Sequence, residues 1–401
     1  MAVTTDNSSE EAGAEPQSGT VRSRRPQLPA NAKSIVWARA AGRCQFRGCN
    51  KPLIGDLVSG RSNLNTAYIA HIVSDAVNGP RGDAVLSPKL TKEPSNLMLL
   101  CDAHHRLIDD KAKWREYSAE LLREMKAEHE DRIEAVTSLS RDRGCHVIRF
   151  AAGIGRNVSP VNTEAVKQAL LPEFYPVRDG MIDLDVPDLG IPDSDPAFWS
   201  LHQRLLREKY QERIKGRLER NEIGRLAVFG LAPMPLLVEL GRLISDISEA
   251  HVRQLLREPK TWEWQDDRGK MELVREEPGV PGKTVVLKLG VSGQIEDSRI
   301  RVVLGEDVSI WSLSARNANN DILRTREDLA VWRRECRAVL EAMKDRHGAG
   351  NIIHVFPALP VSASVELGRV WMPKAHLPMR IYDHNWALGG FRQTLDIVHQ
   401  A

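Results

Sequence analysis

The apolar positions of this 401-residue chain fall into two regimes. In the first, Ile35, Val36, Trp37 and Ala40 recur at helical spacing between Lys33 and Ala41, and Gly42 ends the segment. Tyr68 to Val73 and Leu97 to Leu100 are short apolar runs that predict strands. The second is entered through Asn96 and passes straight into a helix carrying His104 and His105. Ser118 is placed to cap a further helix to about Val136, with Leu121, Leu122, Met125 and Ile133 on one side.

In the second regime, apolar strands alternate with helices. Val147–Phe150, Arg225–Leu231, Lys283–Leu289, Val308–Leu313 and Asn351–Phe356 read as strands. Phe198 to Glu219 reads as a charged helix, and the Pro- and Asp-rich stretch Pro172 to Pro196 as a connector. An internal repeat lies here. Val-Glu-Leu-Gly-Arg occurs at 238–242 and again at 365–369, each time after an apolar strand and a proline loop (Ala232–Pro235 and Pro357–Pro360). Two copies of a βα unit imply two α/β halves with mostly parallel sheets. The repeated Gly241 and Gly368 are expected to allow close helix packing.

Composition sharpens this division. Net charge is only +2, yet residues 29–115 hold 13 Lys/Arg against 7 Asp/Glu. A basic module on a mildly acidic body points to phosphate contact at the N-terminal part. The first 28 residues are Ser-, Glu- and Thr-rich and are expected to be a disordered tail, not a signal peptide. No apolar run approaches a membrane span, so a cytoplasmic protein with no membrane partner is expected. Three of the five cysteines cluster in the basic module, which argues for metal ligation rather than disulfides. Cys44-x4-Cys49 with Cys101-x2-His104 makes a Cys3His set suited to tetrahedral structural Zn2+. Cys145 and Cys336 are expected to be ordinary core residues.

The order His71, a Gly/Pro/Asp-rich loop, Asn96, strand, Cys101-x2-His104-His105 resembles the HNH nucleases, built on a ββα-metal finger. That resemblance implies His71 as general base, with neutral imidazole taking a proton near pH 7. Asn96 serves a structural role, orienting that histidine or the loop. His105 and Asp109, at i and i+4, would share a helical face and hold a catalytic divalent cation, Mg2+ by default and Mn2+ or Ni2+ as alternatives. Many HNH enzymes carry a further ligand just before the base. Here that position is Ala70, so water or Asp75 must complete the shell.

The C-terminal half resembles the SAVED domain, a fused pair of CARF-like Rossmann-type folds. The resemblance is carried by Ala232–Pro235, Trp262-Glu-Trp264, Asn319–Asp321, Phe356–Pro360, the two Val-Glu-Leu-Gly-Arg copies and Trp371–Lys374. The expected architecture is therefore α+β and α/β: a tail to residue 28, an HNH domain at 29–145 and a SAVED sensor at 146–401. Ligands of open α/β sheets bind beyond the carboxyl ends of strands. The expected nucleotide pocket draws on the proline loops (Pro233, Met234, Phe356, Pro357, Ala358). Trp262, Trp264 and Tyr382 are expected to stack on bases, and Arg316 and Lys374 to meet phosphates. The family resemblance implies a bacterial anti-phage (CBASS) effector. A cyclic di- or trinucleotide binds, a homo-oligomer forms or rearranges, and double-stranded DNA is cut. Two rivals stand beside it: a restriction-type HNH enzyme whose C-terminal half reads DNA, and a non-catalytic nucleotide sensor that binds DNA.

Overall fold

The computed structural model describes residues 27–56, 61–138, 143–153, 161–187, 189–266, 271–279 and 282–398. Most of the expected tail, residues 1–26, lies outside them. The chain divides into two compact units, Met1–Thr137 and Ser138–Ala401.

The first unit runs α1 (Ala30–Ala40), β1 (Ile54–Asp56), β2 (Arg61–Asn65), β3 (Ala67–His71), α2 (Leu86–Leu90), β4 (Leu97–Cys101), α3 (Asp102–Ile108) and α4 (Ala119–Thr137). β1 and β2 form a short antiparallel ribbon. β3 and β4 pair antiparallel, with Ala67 opposite Cys101 and His71 opposite Leu97. Residues Leu97 to Leu100 are wholly buried, which explains the unbroken apolar run. They pack with Val36, Ala40, Leu53, Ile72, Ile108 and Leu122. α1 ends where Ala41 turns into the left-handed region at φ 50°.

The second unit holds two sheets. The first half runs β5 (Gly144–Ala151), α5 (Thr163–Leu170), β6 (Tyr175–Asp183), α6 (Pro196–Tyr210), α7 (Gly216–Glu219), β7 (Leu226–Leu231), α8 (Met234–Ile244) and β8 (Ala250–Val252). Its sheet is parallel throughout, in the order β6-β5-β7-β8. The second half runs β9 (Leu273–Glu276), β10 (Thr284–Gly290), α9 (Asp297–Leu304), β11 (Val308–Ala315), α10 (Arg326–His347), β12 (Ile353–Ala358), α11 (Val361–Val370), β13 (Met379–Asn385) and β14 (Gly390–Ile397). Its order is β14-β13-β12-β10-β11-β9. The four central strands are parallel, and β9 and β14 are antiparallel edges. Stripped of those edges, both halves share one topology: second, first, third, fourth strand.

Two expectations need correction. The stretch from Pro172 to Pro196 is not all connector, because β6 lies inside it. β6 sits at a sheet edge, where Pro176 leaves no central ladder bond unmade. The first strand of the second unit begins at Gly144, so a boundary after 145 cuts into it.

The halves join through α8 and α11. Leu236, Leu237, Val238 and Leu240 on α8 and Val365 and Leu367 on α11 are buried at 1% exposure or less. Burying each such side chain contributes about 1.5–3 kcal/mol. A Cβ at Gly241 would lie 1.9 Å from the Val365 carbonyl oxygen, and one at Gly368 would lie 1.9 Å from that of Val238. The contact is reciprocal, so the repeat maps onto the joint. Around it, Arg242 Nη2 and Arg207 Nε donate to Glu239 Oε1, each at 2.6 Å, while Arg369 Nη1 donates to Glu366 Oε1 at 2.9 Å. α10 starts on a capping box between Thr325 and Asp328.

Candidate functional site

In the first unit the turn after α1 brings Cys44 and Cys49 beside the β4–α3 junction, which supplies Cys101 and His104. Gln45 fixes that approach. Its N–H donates to Leu99 O at 2.9 Å, and its side-chain oxygen accepts from Leu99 N–H at 2.7 Å. The donor atoms of Cys44, Cys49, Cys101 and His104 all lie within 4.8 Å of one another. His104 Nδ1 is 3.6 Å from Cys44 Sγ and 3.1 Å from Cys101 Sγ. Tetrahedral zinc with bonds of about 2.0–2.3 Å separates its donors by roughly 3.5–3.8 Å, so the set fits. Burial pushes the Cys44 thiol up to about 12, and the neighbouring Cys101 adds to this. Such thiols ionise when a cation sits among them. Burial holds the His104 imidazole below its usual range, and its ring stacks on Phe46 at 4.0 Å.

Across α3 lies a cleft of about 630 Å³ whose walls include His71, Asp75, Arg81, His105 and Asp109. His71 closes β3, and its Nε2 is 3.0 Å from the Thr91 carbonyl. A carbonyl only accepts, so Nε2 carries the hydrogen and Nδ1 keeps a bare lone pair. Asn96 is buried, and its side-chain hydrogen bonds go to Val73 and Leu90 rather than to His71. Its Oδ1 accepts from Val73 N–H at 2.8 Å and its amide donates to Val73 O at 2.9 Å, pinning the loop that leaves β3. His105 stacks on Tyr68 at 5.0 Å.

Asp109 departs from expectation. α3 ends at Ile108, so Asp109 is its C-cap, and it lines the same cleft as His105. Its Oδ1 accepts from Arg81 Nη2 at 2.8 Å. Arg81 also donates to Ile72 O at 2.7 Å and Ile108 O at 2.6 Å, with its side chain only 4% exposed. This arginine ties the end of β3 to the end of α3, and sequence reasoning missed it. The visible signal was a lone basic residue inside Asn78-Gly-Pro-Arg-Gly-Asp83. Among the described residues, the Cys3His set is the one group of three or more converging donors. His105, Asp75 and Asp109 share a cleft without forming a second such group.

In the second unit the expected pocket residues disperse. Phe356 is fully buried and stacks on Tyr382 at 4.4 Å, and the Tyr382 hydroxyl meets His354 Nδ1 at 2.9 Å. Both aromatics are core under α9, not stacking platforms. The proline loops close on each other, with Leu359 N–H donating to Met234 Sδ at 3.2 Å. Pro233 and Pro357 are buried there and Ala358 is half-buried. Arg316 is exposed and paired with Glu272 at 2.9 Å, and Lys374 is exposed. Trp262 packs edge-on against Phe229 at 5.2 Å, but it also lines a cleft of about 460 Å³ with Asn162, the N-cap of α5, and Lys260. Trp264 lines two further clefts with Arg253 and Arg326. The missed residues are these arginines. Cys145 and Cys336 are buried, as expected.

Twin Rossmann-like sheets joined back to back define the second unit's class. Residues 206–397 match the SAVED family, described as the SMODS-associated and fused to various effectors sensor domain. The chain carries a SAVED domain over those residues. The match begins inside α6, leaving β5 and β6 outside it. Among solved structures, the Acinetobacter baumannii Cap4 SAVED/CARF-domain containing receptor is similar at 15% identity and a TM-score of 0.42. The alignment covers 70% of this chain and 59% of that one. The same receptor with the cyclic trinucleotide 2'3'3'-cAAA gives 15% identity, a TM-score of 0.44 and coverage of 70% and 60%. The Moraxella osloensis receptor gives 13%, 0.39, 70% and 59%. This chain thus spans about three fifths of the length of those receptors. No curated protein matches it. Among the described residues no helix is long and apolar enough to cross a membrane.

Proposed function

We propose that the chain is a cyclic-oligonucleotide-controlled, metal-dependent HNH endonuclease acting on double-stranded DNA in anti-phage defence. The observation that carries the nuclease half is the cleft holding His71, with its bare Nδ1, beside a Cys3His set that fits structural zinc. The SAVED match carries the sensor half. Cap4 receptors with the same domain name hold cyclic trinucleotides.

Cys44, Cys49, Cys101 and His104 would hold a structural zinc, which would fix the β4–α3 junction and take no part in the reaction. His71 Nδ1 accepts a proton from a water in the cleft as its oxygen attacks phosphorus and an ester P–O bond breaks. Thr91 O holds the ring in the required tautomer. Arg81 holds the backbone on both sides of the cleft, and Asn96 holds the loop. His105, with Asp75 or Asp109, would hold a divalent cation, Mg2+ first, which would supply charge neutralisation at the phosphate. A duplex has two strands and one cleft has a small footprint, so ligand-driven pairing of protomers would couple double-strand cutting to the signal.

A second reading, a non-catalytic sensor, is favoured by Ala70 and by the commitment of Asp109 to Arg81. Plasmid incubation with Mg2+, Mn2+ or Ni2+ and a panel of cyclic di- and trinucleotides, cAAA isomers included, separates the two. The enzyme reading expects ligand-dependent degradation, and His71→Ala to lower it at least about 100-fold with the fold intact. Ligand-free cutting instead favours the restriction-type rival. No cutting with any metal and ligand refutes the nuclease.

A further inference from the structure

The junction between β8 and α10 carries a concentration of positive charge that the fold does not need. A pocket of about 100 Å³ is lined there by His251, Arg253, Arg326, Arg333 and Trp264, with no carboxylate among its lining residues. Its volume holds about three waters, and so one tetrahedral oxyanion rather than a nucleoside. Arg253 follows β8 of the first half, while Arg326 and Arg333 stand on α10 of the second. Arg253 is only 2% exposed, yet its Nε has no hydrogen-bond partner. Burial pulls its guanidinium down to about 10. A buried cation with an unmade bond is costly unless a counter-charge meets it.

One carboxylate now serves two of these arginines. Glu173 accepts from Arg253 Nη2 at 3.4 Å and pairs with both Nη atoms of Arg326. His251 pairs with Glu249 at 3.3 Å, and Arg333 lies 3.6 Å from Glu366. The Glu173 side chain is partly exposed and comes from the turn after α5, so it can leave without disturbing a core element.

At the topologically equivalent junction, β13 with α6, no comparable arginine cluster is found among the described residues. There Asn385 Nδ2 donates to Asp193 Oδ1 at 3.1 Å, with Asp383 and His384 alongside on β13. Since one half dispenses with the arginines, the joint does not require them. A larger cleft of about 530 Å³ shares Arg253, Arg326 and Trp264 with the small pocket and adds Glu263, Asp266 and Glu327. Those acids repel phosphate but accept from hydroxyl and amino groups, which suits a sugar and base beside the phosphate.

We infer that this pocket binds a phosphate group of a nucleotide, and that Glu173 is its internal stand-in, displaced when the ligand arrives. That the nucleotide is the activating signal rests on the sensor reading above; the anion site itself does not. Two guanidiniums from different halves closing on one phosphate would register ligand as a change in how the halves meet at that edge.

The test titrates the full chain, wild type, Glu173→Gln and Arg326→Ala, with inorganic pyrophosphate and with the same cyclic-nucleotide panel by calorimetry. Both altered side chains are partly exposed, so the fold is kept, as a melt checks. Removing the competing carboxylate should tighten pyrophosphate binding about tenfold, and removing Arg326 should weaken it by at least as much. The activating cyclic nucleotide should follow the same order. Unchanged or weaker pyrophosphate binding in Glu173→Gln, or full binding in Arg326→Ala, overturns the proposal. If pyrophosphate follows the order while no cyclic nucleotide binds any variant, the pocket stands and the sensor reading falls. If a cyclic nucleotide binds all three equally, the pocket falls and the sensor reading stands.

Discussion

Replacing Gly241 by alanine gives a test whose sign, not only its size, depends on the packing of α8 on α11. In a helix exposed on that side, alanine is better than glycine by about 1 kcal/mol. Here the added Cβ would meet Val365 O at 1.9 Å, Val365 C at 2.9 Å and Arg369 N at 3.0 Å, all backbone atoms that no rotamer change can move. Ordinary contact begins at 3.4 Å, so the helices must part by about 1.5 Å. A gap of even ~1 Å forfeits up to about half the dispersion energy of the facing atoms. Overpacking of this kind costs about 1–3 kcal/mol or more, which outweighs the propensity gain. Gly368→Ala should behave alike, because its Cβ would meet Val238 O at 1.9 Å. The double variant should cost less than the sum, since one separation relieves both clashes. Amide hydrogen exchange along Val238–Arg242 and Val365–Arg369 reads the local effect, and urea unfolding reads the total. A neutral or stabilising Gly241→Ala, or strict additivity in the double variant, refutes the close reciprocal contact.

The remaining expectations are more local. Chelation, or Cys101→Ser, should release one zinc per chain by elemental analysis and melt the first unit while the transition of the second is kept. Burial lowers His376 to about 4, with Arg337 and Lys344 adding to the effect, and its Nδ1 accepts from Met372 N–H at 3.0 Å. The unfolded chain takes up that proton near pH 6.5 and the folded chain does not. Stability is therefore full above about pH 6.5 and falls by about 3 kcal/mol as pH drops to 4, a slope that His376→Asn should flatten in urea titrations. Glu239 has both oxygens bonded, whereas Glu366 Oε2 has no partner and Arg369 keeps three carbonyl acceptors. Glu239→Gln should cost about 3 kcal/mol in urea unfolding and Glu366→Gln about half that; equal costs would count against this account.

The parts of the molecule legible in its sequence are those where residue type and short spacing carry the chemistry. Cys44, Cys49, Cys101 and His104 come from two short segments, and thiol and imidazole have few other reasons to cluster. The strand–proline loop–helix repeat announced two α/β halves, because strands buried on both faces leave unbroken apolar runs. Register was not legible. Phe356 and Tyr382 looked like ligand platforms until adjacent strands stacked them in the core. β6 was hidden by Pro176 and its acidic residues, which an edge strand tolerates and a central one does not. Arg81 was invisible as a positioning residue because all but one of its partners are backbone carbonyls that any sequence supplies. Asp109 lines the cleft with His105, but its pairing with Arg81, distant in sequence, was not visible.

The repeat also shows what the two halves were constrained to keep. Each of its five letters has a task at the joint: Val and Leu fill the shared core, Gly admits the opposite backbone, and Glu and Arg pair beneath it. None of the five lines the clefts that hold Trp262 or Trp264. The copies therefore agree where the halves touch each other and diverge where they face outward, with arginines at the edge of one and Asp383 and Asn385 at the edge of the other. A perfectly two-fold pocket would follow from two-fold chemistry at the strand ends, and this chain lacks it. The anion pocket inferred above would therefore make recognition one-sided, on a two-fold scaffold. A ligand at that edge would act close to the α8–α11 joint, whose backbone contacts at Gly241 and Gly368 leave little room for the helices to slide.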